Sequence, residues 1–506
     1  MTETTATLQE VKDTFQKWLH LDGDLDVIDV VMAASIDRRV PGDPLWLLLI
    51  SPSGGTKTEI VRANTTKYAY TLDSLTSHTL ISGKIERDKQ GNLLPVKGIL
   101  SQIDGKVLII KDLTVILGTR QEERDAIFSQ LRSIYDGYIE CGFGTSDKPI
   151  RVSARIGLIA AVTPAVDHYT KMYNQLGERF LKIRHNPDSE KATEKAMANM
   201  GKEEQMRQEL SDAVSRFLNY LEVPKIEPVS AAFLKQIQRL AQATAILRTP
   251  VTINFWKYEV NSALTPSVEY PTRLSKQLLK LAYCLAAVRG KTTVTEVEIQ
   301  TVQRVARDTA YPNRIRIIVA MENLGNQVPT LGGMKGTISS QGTQYTTREI
   351  AGAADIPLST CWRELKELEY LNVVQYERVE EISNSYTGST KHSPEKDGWI
   401  LKNQSLRVLV TPFSVSKNTS GCSSFLEGGL DKGKIEKKNN VVEEREGAQD
   451  PLVFSETEKE EEYLPLVLCE TGKAGYPLGF NETGKEPSSE LKEREEISMK
   501  GRINHE

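Results

Sequence analysis

The residues with the clearest chemical pattern run from Trp46 to Thr58, in the order Trp46-Leu-Leu-Leu-Ile-Ser-Pro-Ser-Gly-Gly-Thr-Lys-Thr58. Five apolar residues lead into a turn formed by Ser53, Gly54, Gly55 and Thr56. Lys57 and Thr58 follow, ahead of Glu59-Ile-Val, which can open a helix. Strand, turn and helix start in that order suit a phosphate chain. Backbone N–H groups of the turn cradle the phosphates, the Lys57 ammonium reaches the β- and γ-oxygens, and the Thr58 hydroxyl ligates Mg2+. The usual pattern, G-x-x-x-x-G-K-[ST], is incomplete: Ser51 and Thr56 stand at its two glycine positions. A Cβ at position 56 restricts the backbone beside the phosphates. The competing reading is a strand–turn–helix with an incidental Lys-Thr, and the strand context favours nucleotide binding.

A second apolar run, Val107-Leu-Ile-Ile-Lys-Asp112, ends in a carboxylate 55 residues after Lys57. Asp112 suits a role in the Mg2+ shell, opposite Thr58. The competing reading is a turn residue at a strand end. The next position, where a glutamate would polarise the attacking water, holds Leu113, and Thr114, Glu122 and Glu123 are the substitutes within reach. The expected geometry is two neighbouring parallel strands delivering Lys57 and Asp112 to opposite sides of one triphosphate-sized hollow.

These residues need a scaffold, and the surrounding pattern supplies one. Trp46 to Ile50, Val107 to Ile110 and Ile156 to Val162 are short and too apolar to alternate, as in strands buried on both faces of a parallel sheet. Segments long enough for crossover helices, such as Gln121 to Tyr135, lie between them, which predicts an α/β core over 23–187. Before it, residues 1–22 hold one amphipathic helix carrying Leu8, Val11, Phe15 and Leu19. After it, 188–320 read as helices only. Leu274, Leu278, Leu281 and Leu285 make one stripe there. Val297, Val302, Val305 and Ala306 make another behind a Thr295/Glu298 capping box. A compact unit covers 321–413, and 414–506 reads as a mostly disordered tail. That tail holds 13 basic and 20 acidic residues, which leaves 51 and 48 for 1–413, so the folded part is mildly basic and the tail acidic.

In order and content, these features resemble the AAA+ ATPases, specifically the branch of minichromosome-maintenance-type helicases and related phage and plasmid ATPases. The third strand ends Ala161-Val-Thr163-Pro, where that family places a polar sensor of the γ-phosphate. Leu176-Gly-Glu-Arg179-Phe-Leu is similar to the family's L-x-S-R-F segment, which makes Arg179 the candidate arginine finger toward a neighbouring subunit. Tyr270-Pro-Thr-Arg273-Leu starts a lid helix, where the resemblance places the second sensor arginine, Arg273. All three would act through one physical effect, pre-placed donors and cations that stabilise charge spreading over the γ-oxygens.

Toward the C-terminus, Tyr345 to Pro357 reads as a short helix with a tight turn and Leu358 to Leu371 as a longer one, sharing a core of Ile350, Ala354, Ile356, Trp362, Leu365 and Leu368. Asn372 to Tyr376 and Trp399 to Leu401 read as the two sides of a hairpin, with Lys391 and His392 between them. The unit is similar to winged helix-turn-helix domains, which follow the ATPase core in the same branch. Ser359, Thr360, Arg363 and Lys366 on the second helix, with Lys391 on the wing, are the candidate DNA contacts. Glu364, Glu367 and Glu369 weigh on that helix, and docking to another protein is the alternative.

Other chemistries find no residues to carry them. Six isolated histidines and five scattered cysteines offer no metal-ligand spacing, catalytic triad or disulfide framework, and suit a reducing compartment. With no signal segment and no run long enough to span a bilayer, the expectation is a cytoplasmic protein with no membrane partner. The expected fold class is therefore an α/β P-loop NTPase core, a parallel sheet with helices on both faces. An all-α lid, a winged-helix domain and a disordered acidic tail would complete it. The expected activity is that of an ATPase binding ATP and Mg2+ and acting on DNA as a helicase or replication-initiation motor, self-associated as a ring or other oligomer. The alternative is a nucleotide-regulated DNA-binding regulator with little or no hydrolysis.

Overall fold

A computed structural model of the chain describes residues 6–410, apart from Gly55 and the segments 82–84, 88–92, 96–97, 143–148, 174–178, 252, 257–258, 263–265, 327–336, 340–341, 378–379, 383–389 and 393–397. The 414–506 tail lies outside the described residues. Two helices, α1 (Leu8–Trp18) and α2 (Asp26–Ser35), precede strand β1 (Trp46–Ile50). Helix α3 (Lys57–Arg62) leads to β2 (Ala69–Leu72). A hairpin, β3 (Ile85–Arg87) and β4 (Leu93–Pro95), comes before β5 (Val107–Ile110). Helices α4 (Thr114–Leu117) and α5 (Gln121–Tyr135) follow, then a second hairpin, β6 (Tyr138–Cys141) and β7 (Ile150–Ser153). The region closes with β8 (Gly157–Val162), α6 (Ala165–Tyr173) and β9 (Phe180–Arg184).

Five of these strands form one sheet in the order β2-β5-β8-β1-β9, and every pairing within it is parallel. Every residue of β1, β5 and β8 is buried, as strands covered on both faces require. Alternate side chains feed two cores. Leu47, Leu49, Ile109, Ile159, Ala161 and Leu181 face α2 and α3. Trp46, Leu48, Ile50, Leu108, Ile110 and Leu158 face α4, α5 and the start of α6.

One expectation fails here: the strands carrying Lys57 and Asp112 are not neighbours, because β8 lies between them. After β1 the chain crosses to the far edge of the sheet and works back, so the later strand takes the central place. Its small residues Ala160 and Ala161 let helices pack closely on both faces.

Helices α7 (Ser189–Ala198), α8 (Glu203–Tyr220) and α9 (Ala231–Leu247) continue the chain. The stretch is not wholly helical, since β10 (Ile253–Trp256) and β11 (Glu259–Ser262) pair antiparallel before α10 (Thr272–Val288), α11 (Glu296–Thr309) and α12 (Pro312–Asn326). Leu274, Leu278, Leu281 and Leu285 are all buried. Val297, expected on the apolar stripe of α11, is instead 52% exposed, and Ile299 takes the inner position. The Glu298 carboxylate accepts from both the Thr295 N–H (2.9 Å) and its hydroxyl (2.6 Å), fixing the start of that helix. Helix α1 docks on α8, where Trp18 Nε1 donates to Glu209 at 2.8 Å.

The last described unit holds a pair β12 (Thr337–Ser339) and β13 (Gly342–Gln344), then α13 (Thr347–Ala354) and α14 (Leu358–Tyr370). Asp355, in the left-handed region at φ 51°, makes the tight turn between the two helices. Strand β14 (Val374–Glu377) pairs antiparallel with β17 (Gly398–Leu401), and between them β15 (Glu380–Ile382) pairs with β16 (Thr390–His392). The shared helical core differs from expectation at one place. Cys361 is fully buried, whereas Trp362 is 39% exposed, because Leu365 and Leu368 are buried as expected and the helical period puts position 361, not 362, on their face.

Candidate functional site

In an open parallel sheet a ligand crevice forms at the carboxyl ends of strands whose outgoing connections cross to opposite faces. Here β1 and β8 are such neighbours. Helix α3, after β1, packs with Ile60 and Val61 in one core, and Val166 of α6, after β8, packs in the other. Lys57 follows β1, Thr163 follows β8 and Asp112 follows β5, so three of the expected residues stand on adjacent strand ends.

The loop after β1 begins at Ser51, whose N–H donates to Val162 O at 3.2 Å, and turns at Gly54, at φ +77°. That φ is open to glycine at no steric cost. Ser53 and Gly54 are exposed, Thr56 and Thr58 are half-buried, and Gly55 lies outside the described residues. Lys57 is buried, and its Nζ donates back to Pro52 O at 3.0 Å, closing the loop on itself. Burial holds the Lys57 ammonium below the usual lysine range, and the negative charge of Asp112 opposes that shift. The two groups therefore feel one another across the end of β8.

Asp112 is fixed by its own turn. Its Oδ1 accepts from Thr114 N at 2.9 Å, at the start of α4. The Thr114 hydroxyl oxygen in turn accepts from Thr163 N at 3.1 Å and lies 3.5 Å from the Thr163 hydroxyl. With Leu113 N donating to Ala161 O at 2.8 Å, the ends of β5 and β8 form one stitched rim. Leu113 is 1% exposed and packs in the core, whereas Thr114 stands on the rim. On the first turn of α5, Glu122 is exposed and Glu123 half-buried.

Ser51 Oγ and Thr56 Oγ1 are buried without a hydrogen-bond partner among the described residues. Such an atom costs roughly 1–3 kcal/mol if it stays unsatisfied, so both suit a polar ligand in the loop. Among the described residues no cluster of three or more His, Cys, Asp or Glu side chains could hold a metal by itself. Mg2+ needs no such cluster, since one carboxylate and a hydroxyl plus phosphate oxygens suffice, and Asp112 and Thr58 are the candidate pair.

Arg179 and Arg273 are not brought together with Lys57. Phe180 is in register with Trp46, so Arg179 lies beyond the amino end of β1, whereas Lys57 lies beyond its carboxyl end. Strand length alone separates the ends by about 13 Å. Arg179 is buried; its Nη2 pairs with Asp136 Oδ2 at 3.0 Å and its guanidinium lies over the Tyr135 ring, 5.5 Å from the centroid. Arg273 lines a cavity of about 780 Å3 with Arg155, Lys276, Tyr135 and Asp136 at that same end. The cause is the docking of α10. Gln277 donates to Arg179 O at 2.6 Å, and Lys280 Nζ donates to Asp43 O at 2.8 Å.

On α14, Ser359 and Arg363 are exposed and Thr360 is half-buried. Lys366 faces elsewhere: it pairs with Glu369 at 2.8 Å and lies over the Tyr376 and Trp399 rings at 5.2 and 5.1 Å. The side chain of Lys391 lies outside the described residues, although its strand β16 is placed. The acidic residues are also drawn away from the surface. Arg314 of α12, fully buried, pairs with Glu367 (2.8 Å) and Glu364 (3.4 Å). Two surface residues of this unit escaped the sequence reading, Arg348 and Leu358, and Trp362, expected in the core, also reaches the surface. Arg348, in the first turn of α13, carried the only signal that could have found it, a cation at the start of the helix packed against α14.

Among the described residues no helix is long and apolar enough to cross a membrane. No protein-family model and no curated protein matches this chain.

Proposed function

We propose that this protein is an AAA+-like P-loop ATPase that binds Mg·ATP at the carboxyl ends of β1, β8 and β5 and acts on DNA through a C-terminal winged helix. One observation carries the reading: Lys57, Thr163 and Asp112 stand on three adjacent strand ends at the crossover switch of a parallel sheet, with Thr163 tied to the Asp112 turn through Thr114. The loop of Ser53, Gly54, Thr56 and Thr58 holds the phosphates, and Lys57 releases the Pro52 carbonyl to take a phosphate oxygen. Thr58 and Asp112 would hold Mg2+, which neutralises phosphate charge when bound. Thr163, braced by Thr114, presents a hydroxyl toward the terminal phosphate. Arg179 and Arg273 lie at the opposite end of the sheet, so any part they take concerns the nucleotide of an adjoining subunit, in a ring or other oligomer.

The second reading, a regulator that binds ATP with little turnover, gains from the burial of Leu113. That position offers no base, and the neighbouring hydroxyl of Thr114 is a poor one at neutral pH. The recognition-helix residues Ser359 and Arg363, exposed, and Thr360, half-buried, serve either reading.

The test is Mg·ATP binding by calorimetry together with DNA-stimulated ATP turnover, in the wild type, Lys57→Ala and Asp112→Asn. Charged hydrogen bonds of this kind contribute about 1.5–3 kcal/mol, so Lys57→Ala should weaken ATP binding by about one to two orders of magnitude. Asp112→Asn should remove the Mg2+ dependence of binding. Tight binding without turnover selects the regulator. Equal affinity in wild type and Lys57→Ala rejects both readings.

A further inference from the structure

We propose that the cavity at the amino ends of the strands binds a small phosphate monoester, with Arg155 and Arg273 as its cations and the Tyr135 hydroxyl as a neutral donor. This site stands apart from the ATPase reading, which puts its nucleotide at the opposite end of the sheet. At about 780 Å3 the cavity has the size of a small-molecule pocket. Its lining carries both signs of charge, so what matters is which groups are already paired. Asp43 pairs with Lys276 at 3.4 Å, Asp136 with the buried Arg179 at 3.0 Å, and Glu269 with the buried Arg248. Arg155 and Arg273 remain, and neither guanidinium has an ion pair or hydrogen bond among the described residues. Arg155, Arg179, Arg248, Arg273 and Lys276 against Asp43, Asp136 and Glu269 leave two positive charges in excess.

A buried donor without a partner adds to that excess. Tyr135, which lines the cavity, is 6% exposed, and its hydroxyl has no hydrogen-bond partner among the described residues. Its ring stands edge-on to Trp46, 5.2 Å between centroids, with the Arg179 guanidinium over it, so the phenol is held in place. Burial above all, then the negative charge of Asp43, keeps that phenol above the usual tyrosine range, and it donates rather than ionises. Helix α10 starts at the same wall. Thr272 and Arg273 line the cavity, and Pro271 ahead of them supplies no side-chain cap for the first N–H groups. The partial positive charge of that helix end acts in the same direction as the two guanidinium groups.

The chemistry of these groups selects the ligand. Guanidinium, phenol O–H and backbone N–H are all donors, so the partner must be rich in acceptors. A phosphate monoester brings about two negative charges at neutral pH and three strong acceptor oxygens, which matches the excess of two. A carboxylate brings one charge and two oxygens, and leaves half of that excess unanswered. Arginine forks also meet phosphate oxygens in pairs, which fixes the orientation of the group as well as its charge.

The experiment measures binding of AMP to the full chain by calorimetry, without Mg2+, in the wild type, Lys57→Ala, Arg155→Ala and Tyr135→Phe. Lys57→Ala, in which the phosphate loop is disabled, should still bind AMP. Arg155→Ala should weaken binding about ten- to a hundredfold. Tyr135→Phe removes only the hydroxyl and keeps the ring against Trp46, and it should weaken binding about tenfold with the thermal unfolding midpoint little changed. Wild-type affinity should also fall below about pH 6, where the monoester takes up a proton. Equal affinity in the wild type, Arg155→Ala and Tyr135→Phe overturns the proposal. If Lys57→Ala alone loses binding, AMP sits in the phosphate loop, and the cavity proposal falls while the ATPase reading gains. If no variant and no wild-type protein binds AMP, the cavity takes no phosphate monoester and is left to an adjoining subunit.

Discussion

On the proposed reading, Lys57 holds its own loop closed until a phosphate takes its ammonium. Buried and bonded to Pro52 O, it keeps its own loop closed, and burial holds its ammonium below the usual range. The sign of the resulting pH dependence differs between fold and ligand. Between the lowered folded value and the ordinary lysine value, the unfolded chain holds one more proton than the folded one, so folding stability from this group rises with pH through that window. ATP affinity should do the opposite, because a neutral amine does not attract phosphate. Affinity measured against pH should therefore fall at lower pH than an ordinary lysine would give, and Lys57→Arg, charged throughout, should flatten the curve. A wild-type profile identical to that of Lys57→Arg would remove Lys57 from the phosphates.

At the scale of elements, the junction between α12 and α14 decides how the C-terminal unit sits on the helical region. Arg314 donates to the Leu247 and Thr249 carbonyls at 3.2 and 2.6 Å while pairing with Glu364 and Glu367. One buried cation thus ties the end of α9 to α14. Removing one partner from a buried ionic cluster costs about 3–5 kcal/mol, because charges are left desolvated and unpaired. Arg314→Ala should show a loss of that size in chemical unfolding, whereas Arg314→Met combined with Glu364→Leu and Glu367→Leu should recover most of it. A loss below about 1 kcal/mol for Arg314→Ala would mean that the cluster is not what joins the two helices.

For the whole molecule, the separation of the two ends of the sheet has a consequence for assembly. Lys57 lies at the carboxyl ends of the strands, and the cavity bearing Arg155, Arg273 and Lys276 lies at the amino ends. Two different patches on one subunit can meet only head to tail, which gives a ring where the rotation closes. Arg273 is the better probe of that contact, since Arg179 is buried against Asp136 and Tyr135. Lys57→Ala and Arg273→Ala should each abolish turnover alone. Mixing them should restore activity at on the order of a quarter of the interfaces, where an intact Lys57 meets an intact Arg273 across a heterologous contact. Absence of recovery in mixtures shown to co-assemble would exclude a role for Arg273 across subunits.

What the sequence determined by itself was whatever depends on near neighbours. The fully apolar runs at Trp46 and Val107 specified buried strands, the Leu274 to Leu285 stripe specified α10, and the Lys57 and Asp112 positions followed directly from those strand ends. The turn at Asp355 was also local, whereas Trp362 was assigned inward for its apolar ring although the period of Leu365 and Leu368 favours Cys361, and Arg348 was passed over. Strand order, the placing of Arg179 and Arg273 away from Lys57, and the capture of Glu364 and Glu367 by Arg314 were decided by tertiary structure alone. The physical reason is common to all of them. Periodicity reports which side of an element is buried, whereas charge pairing and strand adjacency depend on what arrives opposite it from distant parts of the chain.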